Sequence, residues 1–406
     1  MRILWISNIL FPQLAIKLNN KYGVGGGWMS SLADEIKDKV KLGVFSLYPQ
    51  ECYHKIDDIE FFTAPVVEKN YWFNLLSEFK PDIIHIHGTE YPHTLLIKQY
   101  SNRIPCVASI QGLVSVYARY ALGGLSLKEI YHSFTIKDIL KSSSPIDIQK
   151  QFIKNGKAET KLIKELKYII GRTHWDYSHV KAINSDIKYF TCNECIRDDF
   201  YSGKWEYTNM RPHTIFCSNA NVPLKGVHQV VKAMNIIKQR YPDVRLRIAG
   251  KKIIGKLSVK DSLRLSGYDN YLRHLITRYG LQDNITFLGS LSAAQMKEEF
   301  LRTNVFVLPS AIENSPNTLG EAQLLGTPVI ASYVGGNMDM LPYPLNQLMY
   351  RFEEFELLAQ RIMEVFEQRN WGDYTERSQS IARIRHNKQT IGNCILNIYH
   401  KILSND

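Results

Sequence analysis

The stretch Val305–Gly336, VFVLPSAIENSPNTLGEAQLLGTPVIASYVGG, constrains this chain more than any other. Val305-Phe306-Val307-Leu308 is a short apolar run stopped by Pro309, the pattern of a strand buried on both faces of a parallel sheet. Pro328-Val329-Ile330-Ala331-Ser332 is a second such run, closed by Gly335-Gly336. Between them Thr318 to Leu325 reads as a helix, with Gly326 as its stop signal. Strand, loop, helix and strand make one right-handed crossover unit, and ligands of such sheets sit at the carboxyl ends of the strands. The spacing therefore predicts an α/β fold with a ligand site in the loop after the first strand.

Two glutamates frame that loop. Glu313 lies just past the strand, where a carboxylate faces a ligand, and Glu321 lies one turn inside the helix, able to return to the same crevice. The helix start offers the backbone N–H groups of Thr318, Leu319 and Gly320, with Asn317 beside them, as a phosphate cradle. A carboxylate for sugar hydroxyls beside a phosphate cradle suits a nucleotide-sugar. A second reading stands beside it: Thr318-Leu319-Gly320-Glu321 has the form of a capping box, with Glu321 satisfying the Thr318 N–H.

Two glutamates with seven residues between them, followed by GTPVIAS and VGG, closely resemble the donor-site signature of glycosyltransferase family four, and the variant ENSPNTLGEA resembles members that build bacterial capsules and O-antigens. The resemblance implies a GT-B fold, two Rossmann-like parallel-sheet domains facing a cleft. It also implies sugar transfer from a nucleoside diphosphate to a saccharide or undecaprenyl-type lipid-linked acceptor, with retention and without a metal or other cofactor. Glu313 would contact the donor sugar and Glu321 the ribose. Lys225-Gly226 matches the family's KG motif, whose lysine neutralises the leaving diphosphate. The arginine usual five or six residues earlier is absent, since Asn219 and Ala220 stand there, and Arg172 or Lys251 is a candidate substitute. Ser290 matches the place where the nucleotide base packs.

The amino-terminal half carries its own signals. Residues 2–8 read as a strand, and Gly23-Val24-Gly25-Gly26-Gly27 runs into a helix from Trp28, so glycine amides can approach a phosphate without side-chain clash. By resemblance Gly26 and Gly27 face the donor diphosphate. Pro81–Gly88, PDIIHIHG, is a further strand with His85 and His87 on one face; His87, at its end, is a candidate to line the site, and His85 reads as structural. Cys106–Gly112 is the next strand and its exit. Gln111 stands where many members have a histidine, and glutamine hydrogen-bonds without exchanging a proton near neutral pH. Tyr168 to Asp176 is a strand leading into a polar turn, with Arg172 at the strand's carboxyl end, facing donor or acceptor or else bridging to Asp176. The string IGRTHWD resembles the same polysaccharide-building subgroup.

A length of 406 residues allows two domains, placed at 1–205 and 206–385, with the last helix, about 386–406, returning to the first. Ile391, Ile395, Ile398 and Ile402 give that helix one apolar face. No apolar run nears the ~20 residues that span a bilayer, and MRILWISNIL reads as a strand, which together lead to a cytoplasmic expectation, with a peripheral place on the inner membrane face as the variant. A net charge of +11 favours an anionic membrane surface over nucleic acid, for which no motif is present. Residues 128–167 hold nine lysines against five carboxylates, with apolar residues at roughly helical spacing, the pattern of an amphipathic surface helix, read either as an ordinary two-sided helix packed on the domain or as one that meets an anionic membrane. Six cysteines read as free thiols, and Cys192-Asn193-Glu194-Cys195 as incidental. Two other function classes stay open: a phosphorylase or sugar-nucleotide epimerase on the same fold, and a non-catalytic basic binder.

Overall fold

The computed structural model describes residues 1–19 and 26–404, and of Val259 the backbone alone. Gly23, Val24 and Gly25 of the glycine-rich loop therefore lie outside the described residues. The chain divides into two units: Met1–Ser115 with Lys154–Arg197 and Arg385–Asp406, and Val116–Ile153 with Asp198–Ile384.

The amino-terminal unit is built on eight strands: β1 (Arg2–Ser7), β2 (Lys41–Leu47), β3 (Cys52–Ile56), β4 (Ile59–Ala64), β5 (Ile83–His87), β6 (Cys106–Ser109), β7 (Tyr168–Gly171) and β8 (Lys188–Thr191). Their order is β3-β4-β2-β1-β5-β6-β7-β8. Only β3 runs antiparallel, against β4. The inner strands are buried along nearly their whole length, as strands covered on both faces are. The isoleucine stripe of the last helix, Lys388–Leu403, is buried in this unit's core with Trp5, Leu32 and Ile36. Each buried isoleucine contributes roughly 1.5–3 kcal/mol. Gly392 lets that helix approach Gly27–Ile36 closely, since a Cβ there would stand 2.9 Å from the Cβ of Glu35.

The carboxy-terminal unit is a five-stranded parallel sheet: β9 (Thr214–Cys217), β10 (Arg245–Ile248), β11 (Ile285–Phe287), β12 (Val305–Leu308) and β13 (Val329–Ala331), in the order β11-β10-β9-β12-β13. The apolar run at 305–308 is fully buried, as its composition requires.

The first domain was expected to run unbroken to residue 205. Residues 116–153 instead belong to the carboxy-terminal unit. The reason is specific. Leu125 and Ile130 enter that unit's apolar core, Glu129 accepts from the Tyr271 hydroxyl at 3.0 Å, and Thr135 donates to the Leu265 carbonyl at 3.0 Å. The expected single amphipathic helix over 128–167 is three helices, Leu127–His132, Ile136–Lys141 and Pro145–Glu165.

Candidate functional site

Each sheet has a place where strands built outward to one side give way to strands built to the other, and the diverging loops leave a crevice at the carboxyl ends. In the carboxy-terminal unit it lies between β9 and β12. A depression of about 210 Å³ opens there, lined by Ser218 and Asn219 past β9, Ser310 and Glu313 past β12, Lys225, and Asn317 and Thr318 at a helix start.

Glu313 is 6% exposed. Its Oε1 accepts from the Lys225 ammonium at 2.6 Å and from the Ser310 hydroxyl at 2.7 Å. Charge-assisted bonds of this length are about twice as strong as neutral ones, so the pair fixes the ammonium at the mouth of the crevice. Two glycines make the arrangement possible. Gly226 adopts φ +68°, which caps the helix Val227–Arg240, and a Cβ on it would lie 1.7 Å from the Pro309 carbonyl oxygen. Gly335, at φ +51°, gives its side-chain place to the Glu313 carbonyl oxygen, 1.9 Å from a built Cβ. The lysine motif and the glutamate loop thus meet through backbone as well as side chains.

The helix between the strands begins at Asn317, one residue before the expected start, with Pro316 as N-cap and no side-chain cap. The capping-box alternative therefore does not form. The amides of Leu319 and Gly320, expected as phosphate donors, point to the Pro316 carbonyl at 3.0 and 3.4 Å. Those of Asn317 and Thr318 have no partner among the described residues, so the cradle sits at 317–318. Leu319, Gly320 and Glu321 are buried in the helix, Glu321 at 2% exposure, and do not line the depression. Ser290 is at the carboxyl edge of β11, two strands from β9, and is outside it also.

Both expected substitutes for the missing arginine are engaged within their own units. Lys251 donates to the Arg264 carbonyl at 2.8 Å and lies 3.6 Å from Asp269. Arg172, in the amino-terminal unit, is 5% exposed and bound to the Glu194 carboxylate and the Ile110 carbonyl. The Arg172–Asp176 bridge does not form either: Asp176 accepts from the backbone N–H of Arg172 at 2.9 Å.

Glu194 is the residue that sequence reasoning missed. Besides Arg172 it accepts from Gln111 Nε2 at 2.7 Å, while its carbonyl accepts from His386 Nδ1 at 2.8 Å. Gln111, Arg172 and Glu194 follow β6, β7 and β8, so the three form one bonded set at the carboxyl edge of the first sheet. Gly26 is the left-handed N-cap of the helix Gly27–Ile36, packed on Ile9 past β1, and Gly27 lies against Arg197. His85 is bonded at both ring nitrogens, to Tyr399 and Ser109, each at 2.7 Å. His87 is 4% exposed, and burial, aided by His85 and Arg172, pushes its pKa well below the usual histidine value and keeps the ring neutral.

Comparison with known proteins converges on one architecture. Residues 205–385 match the family model for glycosyl transferases group 1. A D-inositol 3-phosphate glycosyltransferase of Pseudarthrobacter chlorophenolicus is 35% identical over 113 residues, 28% of this chain and 24% of that protein. A GDP-mannose-dependent mannosyltransferase of Corynebacterium glutamicum is 25% identical over 48% of each chain. The chain thus spans about a quarter to a half of the length of these relatives. Among solved structures, sucrose-phosphate synthase of Thermosynechococcus elongatus superposes with a TM-score of 0.73 at 13% identity, covering 100% of this chain and 99% of that one. Anabaena HepE in complex with UDP and glucose gives a TM-score of 0.68 at 16% identity, with 99% and 100% covered. The fold is GT-B, two α/β units each on a Rossmann-like parallel sheet.

Proposed function

We propose that this chain is a retaining glycosyltransferase that moves a sugar from a nucleoside diphosphate to a saccharide or lipid-linked acceptor, in the assembly of a cell-surface polysaccharide. The observation that carries the reading is the Lys225–Glu313 pair at the switch point of the carboxy-terminal sheet, beside two unpartnered helix amides. In such a transfer negative charge grows on the leaving diphosphate, and preorganised donors aimed at it are the largest catalytic factor. Lys225 and the amides of Asn317 and Thr318 supply them, and Glu313 holds the ammonium while facing the donor sugar. This accounts for the leaving-group charge with side chains and backbone alone, so the transfer is proposed to run without a metal.

A thermal-shift screen against UDP, GDP, ADP and CMP tests the donor site. One nucleoside diphosphate will raise Tm selectively, because a ligand at a hundred times its Kd adds about 2.7 kcal/mol to the folded state. A folded protein that responds to none of them refutes the reading.

We further propose that the polysaccharide role places the chain at an anionic membrane face. No described helix is long and apolar enough to cross a membrane. Leu127, Tyr131, Ile136, Ile139 and Leu140 are nevertheless 56–78% exposed within fourteen residues. The acidic side chains of this region, Glu129, Asp138 and Asp147, are engaged as helix caps on Ser126, Thr135 and Ser144, so Lys128 and Lys141 dominate the exposed charge. Apolar side chains interleaved with cations suit a headgroup boundary. In vesicle sedimentation, Ile139→Ser with Leu140→Ser will lower partition onto phosphatidylglycerol-containing vesicles at least tenfold. Equal partition of the variant and the parent would remove this surface from the account.

A further inference from the structure

Cys192 directly follows β8, and Cys394 stands near the middle of the last helix, both within the amino-terminal unit. Each thiol is turned toward the backbone that carries the other. The Cys394 thiol donates to the Thr191 carbonyl at 3.5 Å, and the Cys192 thiol reaches the Ile391 carbonyl at 3.9 Å. Thr191 precedes Cys192 in the chain, and Ile391 lies three residues before Cys394 on the same helix. The proton affinity of each thiol is in turn set foremost by a side-chain hydrogen bond with the other. Strand exit and helix thus bring two sulfurs together across one gap.

We propose that Cys394 and Cys192 form an oxidative modification site, at which a hydroperoxide converts the two thiols into a disulfide that ties the last helix to the exit of β8. No group of the donor crevice takes part, so the site stands apart from the glycosyltransferase reading. Access and acidity assign the roles. Cys394 is partly exposed, whereas Cys192 is 7% exposed and Cys195, the other cysteine of the 192–195 string, is 0% exposed. The bond from Cys192 holds the Cys394 thiol below the usual value, and Lys401 adds to that effect, against partial burial. The same bond and burial push the Cys192 thiol up. The thiolate is the nucleophile, so Cys394 reacts first. Its sulfur attacks the hydroperoxide: an S–O bond forms, the O–O bond breaks, and the leaving oxygen departs as water or an alcohol, carrying the Cys394 proton. Cys192 then attacks the Cys394 sulfur of this sulfenic acid. The S–S bond forms, the S–O bond breaks, and hydroxide leaves as water with the Cys192 proton. Two thiols give up two electrons and the hydroperoxide takes them.

Treatment of the folded full chain with hydrogen peroxide, then alkylation with N-ethylmaleimide and peptide mapping by mass spectrometry, tests the site. The Cys192 and Cys394 peptides will appear joined, lighter by two hydrogens than their sum, and dithiothreitol will separate them. Cys52, the other partly exposed thiol, lies 2.9 Å from the Thr63 hydroxyl and will stay open to alkylation. Cys394→Ser will lower the yield of bridged peptide at least tenfold, and Cys192→Ala will leave a sulfenic acid on Cys394 that dimedone captures. Tm of both variants supplies the fold check, and the map of the parent chain decides alone if either fails to fold. A bridge between Cys192 and Cys195, a bridge to any other cysteine, or full alkylation of Cys394 after peroxide overturns the proposal.

Discussion

Lys225→Ala will lower kcat by about a hundredfold to a thousandfold, the cost typical of removing one preorganised donor from a developing oxyanion. On the proposed reading the loss falls on kcat, because the ammonium held at 2.6 Å from Glu313 would meet the diphosphate most strongly as the sugar leaves. Glu313→Ala will act largely through the same ammonium, which loses its anchor, so the double variant will be far less impaired than the product of the two single effects. The measurement is steady-state turnover at saturating donor for both single variants and the pair. Turnover of Lys225→Ala within threefold of the parent would dismiss this crevice as the reacting centre.

Glu194→Ala will destabilise the amino-terminal unit by about 3–5 kcal/mol, the range found when one partner of a buried ion pair is removed and the other stays charged. The stranded group is Arg172, 5% exposed, and Gln111 loses its carboxylate acceptor as well. Replacing both members of the pair, as Arg172→Met with Glu194→Leu, will recover much of the loss, because an apolar pair has no buried charge to solvate. Urea unfolding followed by tryptophan fluorescence reads both. A midpoint unmoved by Glu194→Ala would show that the pair holds nothing in place.

Much of the sheet architecture was legible because it is local. Val305–Leu308 and Val329–Ala331 announce themselves as apolar runs with turn residues at their ends, and the isoleucine spacing of the last helix is a property of one segment. The Glu313 loop and Lys225 were legible for a different reason, a long ordered resemblance. What stayed hidden depends on partners far apart in the chain. Glu194 sits 83 residues from Gln111, and nothing near either residue marks the bond. Glu129 and Tyr271 are 142 residues apart, yet their contact helps decide which unit takes residues 116–153. The displaced helix start has a local cause that a motif match overrode: Pro316 offers its carbonyl as N-cap, so Thr318 has no need to serve as one.

The two glycines beside the donor crevice set a boundary on how such a site can diverge. At Gly226 and Gly335 a main-chain oxygen occupies the volume where any other residue would carry its first side-chain atom. These positions are closed to variation whatever the sugar, since a change there moves the Pro309 or Glu313 backbone before it touches a ligand. On the proposed reading, variation in donor preference falls instead on side chains that line the depression, such as Ser218, Asn219, Asn317 and Thr318. On that reading a lineage can alter the rim residue by residue while the frame beneath it stays as it is.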